Sequence, residues 1–215
     1  MTNSGSAISR RGLFGAGIAA AALIAAGAPA RAQIDGSPAA PIQRLNNALL
    51  VAMQTGSSTS FAQRYQALEP VIEQVFNLDE VLGASVGLAW STMSSAQKMQ
   101  LLDAFRRYTV TSYAANFNSF NGQTFQIMPG TRTLSNGEVI VSTQLVRPGN
   151  SPLRLDYVMR NGPAGWQAVD VLTDGSISRV AVQRSDFRGL LMAGGVSALA
   201  SGLEHKTANV AGTMG

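Results

Sequence analysis

The sequence contains no cysteine, and this absence alone excludes several kinds of protein. Without a thiol the chain has no thiolate nucleophile, no cysteine-based zinc site and no disulfide. Histidine is almost absent as well, since His205 is the only one. A single histidine without a second histidine or cysteine makes neither a metal centre nor a relay. We therefore expect no metal, no cofactor and no catalytic group of these types.

Charge is also scarce, because charged residues make up 13% of the chain and hydrophobic residues 46%. The formal net charge is +4, but Arg10, Arg11 and Arg31 lie in a leader without acidic residues. The remaining chain is nearly neutral and lacks the clustered basic residues that neutralise nucleic-acid phosphates. Nucleic acid is therefore excluded as a partner. The high apolar content is incompatible with disorder and suits one domain with a continuous core.

The first 32 residues have the pattern of an export signal. Arg10 and Arg11 precede an apolar run over residues 13–28, and Ala30-Arg31-Ala32 matches a small-residue cleavage site. We predict a signal peptide over residues 1–32 and a mature periplasmic protein that begins at Gln33. The arginine pair is similar to a twin-arginine signal. An uncleaved membrane anchor is the alternative, because the run approaches the roughly 17 to 25 residues that span a bilayer.

Apolar residues recur at helical spacing from Pro41 to Phe120. Ser94 and Gln97 have the spacing of a capping box, which predicts a long helix that continues through Phe120. Pro70 is expected to kink or break the helix that precedes it. A last helix is predicted from Ser185, followed by a flexible tail over residues 205–215.

From Gln123 onward the apolar residues alternate, and glycine-containing turns separate the alternating segments. This pattern predicts an antiparallel meander. In one strand the alternation points Val169 and Val171 to the interior, opposite to Trp166 and Asp170. The predicted fold is α+β, with an N-terminal helical part and helices that cover a curved antiparallel sheet. Such a sheet, of nuclear-transport-factor-like or cystatin-like type, can enclose an apolar cavity within one domain over residues 33–204.

Three segments, taken in order, resemble the MlaC/toluene-tolerance family, and the resemblance spans roughly residues 41–204. They are Phe61-Ala-Gln-Arg-Tyr-Gln-Ala-Leu-Glu-Pro with Val75-Phe76-Asn77-Leu78, then Leu82-Gly83 through Trp90 followed by Gln97, and finally Trp166 through Ser178. The last segment leads into a helix over residues 190–203 that is similar to the closing helix of that family. One departure is Ser176, where an apolar residue usually follows the glycine, and this puts the local strand register in doubt.

The resemblance implies a lipid carrier that is not an enzyme. Such a protein holds phospholipid acyl chains in an apolar cavity as cargo. It exchanges the lipid with an inner-membrane ABC-type transport complex and an outer-membrane lipoprotein complex, and so maintains lipid asymmetry of the outer membrane. A hopanoid-associated subgroup has similar sequences, so a carrier of hopanoids or other apolar lipids stays open as an alternative.

The residues expected to face the interior are mostly aromatic or β-branched, and each is also a credible ordinary core residue. The candidate lipid-binding residues are Val75, Phe76, Leu82, Trp90, Phe105, Tyr113, Phe117, Tyr157, Val169, Val171 and Phe187.

Two further interpretations stay open. A ketosteroid-isomerase-like enzyme would use a buried aspartate as a base near tyrosine donors, and Asp170 is the candidate base. Asp156 is expected on the polar face of its strand, which disfavours it. A subunit or adaptor without any ligand is the other alternative. Glu69 and Glu73 are four residues apart on one helical face, which we interpret as a solvated face rather than an acid/base pair.

Overall fold

The computed structural model describes residues 36–56 and 58–213, and the predicted signal peptide lies outside these ranges. A short 3-10 helix, Gly87–Thr92, links two of the α-helices in this part of the chain. The α-helices are α1 (Ala39–Gln54), α2 (Phe61–Val75), α3 (Leu78–Val86), α4 (Ser95–Asn116) and α5 (Arg179–Gly212). The strands are β1 (Thr124–Ile127), β2 (Arg132–Thr133), β3 (Val139–Val146), β4 (Leu153–Gly162), β5 (Gly165–Thr173) and β6 (Ile177–Ser178).

Helices α2 and α4 both begin with a capping box. In α4 the Ser94 hydroxyl accepts a hydrogen bond from the Gln97 backbone N–H, while the Gln97 side chain accepts one from the Ser94 N–H. Each box satisfies two backbone donors that a helix start leaves unpaired. The predicted start of α4 is confirmed, although the helix ends at Asn116 rather than at Phe120.

Helix α2 runs through Pro70 to Val75 as one element, so a break at Pro70, one of the two effects expected from the sequence, does not occur. Proline removes the backbone donor that would bond the carbonyl oxygen of Gln66. Gln66 is exposed, so water can bond this carbonyl in place of the missing donor.

The sheet is entirely antiparallel and has the order β1-β3-β4-β5-β6. The short strand β2 pairs with β3 further along the same edge as β1. Several hairpin turns place glycine at positive φ, for example Gly137 at 84° and Gly175 at 73°, a conformation that favours glycine. The α+β fold with an antiparallel meander is therefore confirmed.

The closing helix begins at Arg179, earlier than the predicted start at Ser185. Ser178 is the residue that caps it, since its hydroxyl accepts a hydrogen bond of 3.0 Å from the Ala181 N–H. Asp170 adds a second acceptor for this turn, bonding the Val180 N–H at 3.0 Å. The predicted start at Ser185 was therefore wrong, and the Asp170 acceptor that supports the true start is distant in sequence and leaves no local pattern.

Helix α5 reverses direction at Gly194 and Gly195, whose backbone angles are not helical. Gly195 has φ 64° and ψ −149°, a combination that residues with a side chain rarely adopt. The two halves pack against each other, because a Cβ added at Gly202 would lie 2.7 Å from Leu190 Cδ1. The second half continues to Gly212, where the sequence predicted a flexible tail from residue 205. Packing of this half against the first favours the helix over a loose tail.

The helices cover one face of the sheet and bury a single large cluster with it. Tyr157 and Met159 of β4 belong to this cluster, together with Ile42 and Leu45 of α1. The opposite face carries a much smaller cluster, formed by Ile140, Val158 and Val169.

Candidate ligand-binding cavity

A cavity of about 340 Å³ lies between the sheet, helices α3 and α4, and the first turns of α5. Its size falls in the range of small-molecule sites, roughly 300 to 1,000 Å³. Its apolar lining residues are Phe76, Leu78, Val81, Phe105, Tyr108, Tyr113, Phe117, Leu145, Leu153, Leu155, Tyr157, Val171 and Val180. Polar and charged side chains complete the lining, and they are Thr109, Ser112, Asn116, Asp170, Thr173, Arg179 and Gln183.

Phe76 connects the helices to the cavity floor. It is the residue that directly follows α2, and its backbone forms a parallel bridge to Ala168 of β5. The Asn77 N–H also donates a hydrogen bond of 3.0 Å to the Ala168 carbonyl oxygen. The Phe76 ring then lies 5.8 Å from the Tyr113 ring and 6.4 Å from the Tyr157 ring, measured between centroids. These contacts hold three aromatic rings from α2, α4 and β4 around one space.

Aromatic contacts continue from these three rings toward the edge of the cavity. Tyr113 and Phe117 stack one turn apart on α4, with centroids 5.9 Å apart and ring planes 14° apart. Phe117 in turn lies 6.2 Å from Phe125 of β1. The opening lies beyond these rings, because Asn116 and Arg179 line the cavity and are exposed to solvent.

Three tyrosines interrupt the apolar lining with their hydroxyls, and two of them, Tyr113 and Tyr157, lie deepest in the cavity cluster of rings. Neither Tyr113 nor Tyr157 makes a side-chain hydrogen bond with a described residue, although only 2% of Tyr157 is exposed. Burial raises the pKa of Tyr113 above its ordinary value, and the positive charge of Arg179 partly opposes this rise. Burial also raises the pKa of Tyr157 well above its ordinary value, and Tyr113 adds to the rise. Both phenols are therefore protonated donors at neutral pH.

The two charged residues of the lining differ in their bonding. The Asp170 carboxylate accepts hydrogen bonds from the backbone N–H groups of Val171 and Val180, at 2.7 Å and 3.0 Å, and from the Ser178 hydroxyl. Arg179 makes no hydrogen bond or salt bridge with any described residue. The cavity is thus a mostly apolar space with one unpaired cation at its opening.

The comparison with protein families decides which group of proteins this geometry belongs to. Residues 43–205 match the family model of the MlaC protein, which is more than half of the chain. The chain belongs to the MlaC family.

A solved structure shows the same fold as this MlaC-family chain. It is a phospholipid-binding protein from Ralstonia solanacearum in complex with a phospholipid. The TM-score is 0.70 at 20% sequence identity, and the match covers 81% of this chain and 99% of that protein. At this identity the likeness establishes the shared fold.

Part of the predicted lipid-binding set lines the cavity of this MlaC-family chain. Contact of these residues with lipid stays a prediction. The residues that the structure places at the cavity are Phe76, Phe105, Tyr113, Phe117, Tyr157 and Val171.

Other members of that set belong to the surrounding core rather than to the cavity wall. Val75, Leu82 and Phe187 lie in the main cluster, and Phe187 meets Phe105 edge to face with centroids 6.2 Å apart. Trp90 packs on Gly83, where an added Cβ would lie 2.9 Å from the indole Nε1. Periodicity could not separate these residues from cavity residues, because both kinds lie on the apolar face of an element.

The predicted inward orientation of Val169 is wrong. Val158 of β4 pairs with Asp170, whereas the next residue, Met159, pairs with Ala168, so β5 contains one extra residue at this point. Such a β-bulge shifts the alternation by one position. Val169 consequently packs with Ile140 on the opposite face, while Val171 lines the cavity.

Several lining residues were missing from the predicted set. Leu153 and Leu155 share a strand face with Tyr157, and Leu145 lies opposite Leu153, so strand alternation contained the signal for all three. Arg179 had no such signal, because the predicted start of the closing helix was six positions too late.

The remaining acidic candidates are engaged in structural contacts. The Asp156 carboxylate is fully buried on the polar side of β4 and binds Arg154 through two hydrogen bonds, at 2.9 Å and 2.7 Å. Glu69 accepts a hydrogen bond from the Tyr65 hydroxyl at 3.1 Å, and Glu73 forms a salt bridge with Arg106 at 2.7 Å. Only the Glu73–Arg106 pair joins two elements, α2 and α4, and none of these three acids lines the cavity.

Neither a metal cluster nor a membrane-spanning helix occurs within residues 36–56 and 58–213. No group of three or more histidine, aspartate or glutamate side chains is placed there to hold a metal ion. No helix in these ranges combines the length and apolarity that crossing a bilayer requires.

Proposed function

We propose that this MlaC-family protein binds a phospholipid by its acyl chains and carries it as cargo. The supporting observation is a mostly apolar cavity, partly open to solvent, between the helices and the sheet. It occurs in a chain whose fold is shared by a phospholipid-binding protein solved with its phospholipid.

The energetics of a free lipid explain why a carrier is needed. Burial of one methylene group stabilises by about 0.8 kcal/mol, so two chains of about 16 carbons cost roughly 25 kcal/mol when exposed to water. Spontaneous release into an aqueous compartment is then extremely slow. A carrier of this kind hands over its lipid only when it is docked on an acceptor.

The route of the proposed carrier is the periplasm. The leader over residues 1–32 directs export, cleavage leaves Gln33 as the first residue, and residues 33–204 form the lipid-binding domain. The donor and acceptor are an inner-membrane ABC-type transport complex and an outer-membrane lipoprotein complex. Intact-mass measurement on the periplasmic fraction tests the first step. A product in the membrane fraction that still carries Arg10 and Arg11 would mean an anchored protein.

The proposal contains no catalytic step. The ketosteroid-isomerase-like alternative depends on Asp170 as a base, and both oxygens of this carboxylate accept hydrogen bonds from Val171, Ser178 or Val180. A carboxylate held in this way supports the first turn of α5. It is a poor candidate for a base that must reach a substrate.

Mass spectrometry tests the proposal directly. Protein purified without detergent is extracted with organic solvent, and the lipid is identified and quantified per mole of protein. We expect close to one phospholipid per chain, and transfer to vesicles at a rate that depends on vesicle concentration. A hopanoid in the extract would shift the proposal to the other lipid class. An empty protein that also takes up no lipid from vesicles would overturn it in favour of a ligand-free subunit.

A further inference from the structure

Arg179 is the one lining residue whose charge has no partner among the described residues. The other charged side chain of the lining, Asp170, is saturated by Val171, Ser178 and Val180. Most other arginines of the fold are bonded; Arg154 pairs with Asp156, for example, and Arg184 donates to the Ala84 carbonyl oxygen. An exposed cation at the opening of an apolar cavity is available to an anionic part of the cargo.

The position of Arg179 in its helix does not favour stability of the fold. Arg179 is the first residue of α5, where the positive end of the helix dipole disfavours a cation. A neutral or acidic residue would suit this position better. The placement is therefore better explained by a ligand than by the helix.

Helix α4 contributes two more donors to the lining of the same cavity. Asn116, at its last turn, is exposed and makes no hydrogen bond with a described residue. The Tyr113 hydroxyl lies one turn earlier and is also without a partner. It is close enough to Arg179 that this positive charge partly opposes the rise in the Tyr113 pKa. Ser112 differs, because its hydroxyl already donates to the Tyr108 carbonyl oxygen. Three unpaired donors and no unpaired acid form a set that suits an acceptor-only anion.

We propose that Arg179, Tyr113 and Asn116 form a subsite for the phosphodiester of the cargo lipid at the opening of the cavity. This inference rests on the proposed lipid-carrier function and deepens it. A phosphodiester accepts two parallel hydrogen bonds from a guanidinium group, which gives both affinity and orientation. The acyl chains then extend from this point toward Phe76 and Tyr157. The subsite predicts discrimination against neutral lipids with the same chains.

The test uses two short-chain lipids that differ only in the phosphate-bearing headgroup. Dioctanoyl phosphatidylglycerol, dioctanoylglycerol and inorganic phosphate are titrated into delipidated protein by calorimetry. The variants are Arg179→Gln and the control Arg188→Gln, an exposed arginine further along α5 that does not line the cavity. Arg179→Gln should weaken binding of the phospholipid about tenfold or more, as loss of a charge-assisted hydrogen bond does, and leave binding of dioctanoylglycerol unchanged. Arg188→Gln should bind both lipids as the wild type does.

The possible outcomes separate this subsite from the carrier function itself. A wild-type protein that binds neither lipid would overturn the carrier function. Equal binding of the phospholipid by wild type and Arg179→Gln would overturn the subsite alone. Inorganic phosphate that binds in an Arg179-dependent way, without any effect on the phospholipid, would also overturn it, since the site would then hold a free anion. Tyr113→Phe is a second variant that removes one donor without a change in charge, and it should weaken binding of the phospholipid severalfold. Circular dichroism of each variant checks the fold.

Discussion

Asp170 Oδ1 accepts a hydrogen bond of 3.0 Å from the backbone N–H of Val180, and this bond joins strand β5 to the first turn of helix α5. Because the same carboxylate also binds Ser178, Asp170→Ala should leave several donors without their charged acceptor. We expect a loss of about 2 to 3 kcal/mol in unfolding free energy, as for other hydrogen bonds to charged groups. Urea unfolding followed by circular dichroism measures it.

Asp103→Ala is the matched control for this prediction. Asp103 is exposed and pairs only with Arg106, at 3.4 Å. Exposed pairs of this kind contribute little, so the control should lose less than about 0.5 kcal/mol. Equal losses in the two variants would mean that Asp170 does not act as the joint between β5 and α5.

The reversal of α5 allows a second pair of substitutions with opposite expected signs. Gly195→Ala places a side chain at φ 64°, ψ −149° and should destabilise the protein by about 1 to 3 kcal/mol. Gly189→Ala, in the helical first half, meets no atom within 4 Å of the new Cβ. It should stabilise by roughly 0.5 to 1 kcal/mol, because alanine favours helix over glycine. Thermal unfolding of both variants measures the two changes in stability. A stabilised Gly195→Ala would mean that the reversal is not fixed by this glycine.

The sequence predicted the elements that depend on local patterns. The capping box at Ser94 and Gln97 is a signal of four consecutive residues, and apolar alternation along β4 is confined to one strand. Both could be interpreted without knowledge of the rest of the chain. The fold class followed from their order along the sequence.

The parts that escaped prediction depend on contacts between distant residues. The bulge at Val169 is visible only from the partner strand, where Val158 and Met159 are consecutive. The start of α5 depends on Asp170 as well as on the adjacent cap. For the same reason Arg179 was missed, since its place at the cavity is a consequence of that start. Periodicity also gives no information on whether an apolar face packs solidly or leaves a space.

The buried phenols predict a specific pH dependence of stability. Burial raises the pKa of Tyr157 well above its ordinary value, and the pKa of Tyr113 is raised as well. Below pH of about 10, tyrosines keep their protons in both the folded and the unfolded chain, so the full stability is present. As the pH rises further, the unfolded chain releases these protons first, and each such group lowers stability by up to about 1.4 kcal/mol per pH unit.

Tyr157→Phe should flatten this alkaline loss in the delipidated protein. The measurement is urea unfolding at several pH values from about 8 to 11, with wild type and variant compared at each value. The difference in unfolding free energy between the two should be constant below pH of about 10, and above it should shift in favour of the variant by up to about 1.4 kcal/mol per pH unit. Parallel curves over the whole range would mean that Tyr157 ionises in the folded state as easily as in the unfolded chain.

The bulge in β5 places two valines of one strand in different environments, and it supplies the sharpest test of the cavity wall. Val171 lines the cavity, whereas Val169 is buried with Ile140 and Val158 on the other face. Val171→Asp should abolish lipid binding, because a carboxylate in the path of the acyl chains is incompatible with them. It should cost little stability, since an emptied cavity open to solvent can hydrate the charge. Val169→Asp should instead lower the stability and leave the cavity wall unchanged, because an unpaired acid in a packed cluster costs several kcal/mol. Thermal unfolding and extracted lipid per protein are measured on the same samples. If Val171→Asp retains its lipid, β5 is not part of the cavity wall. If this variant unfolds, the space is a packed core rather than a cavity.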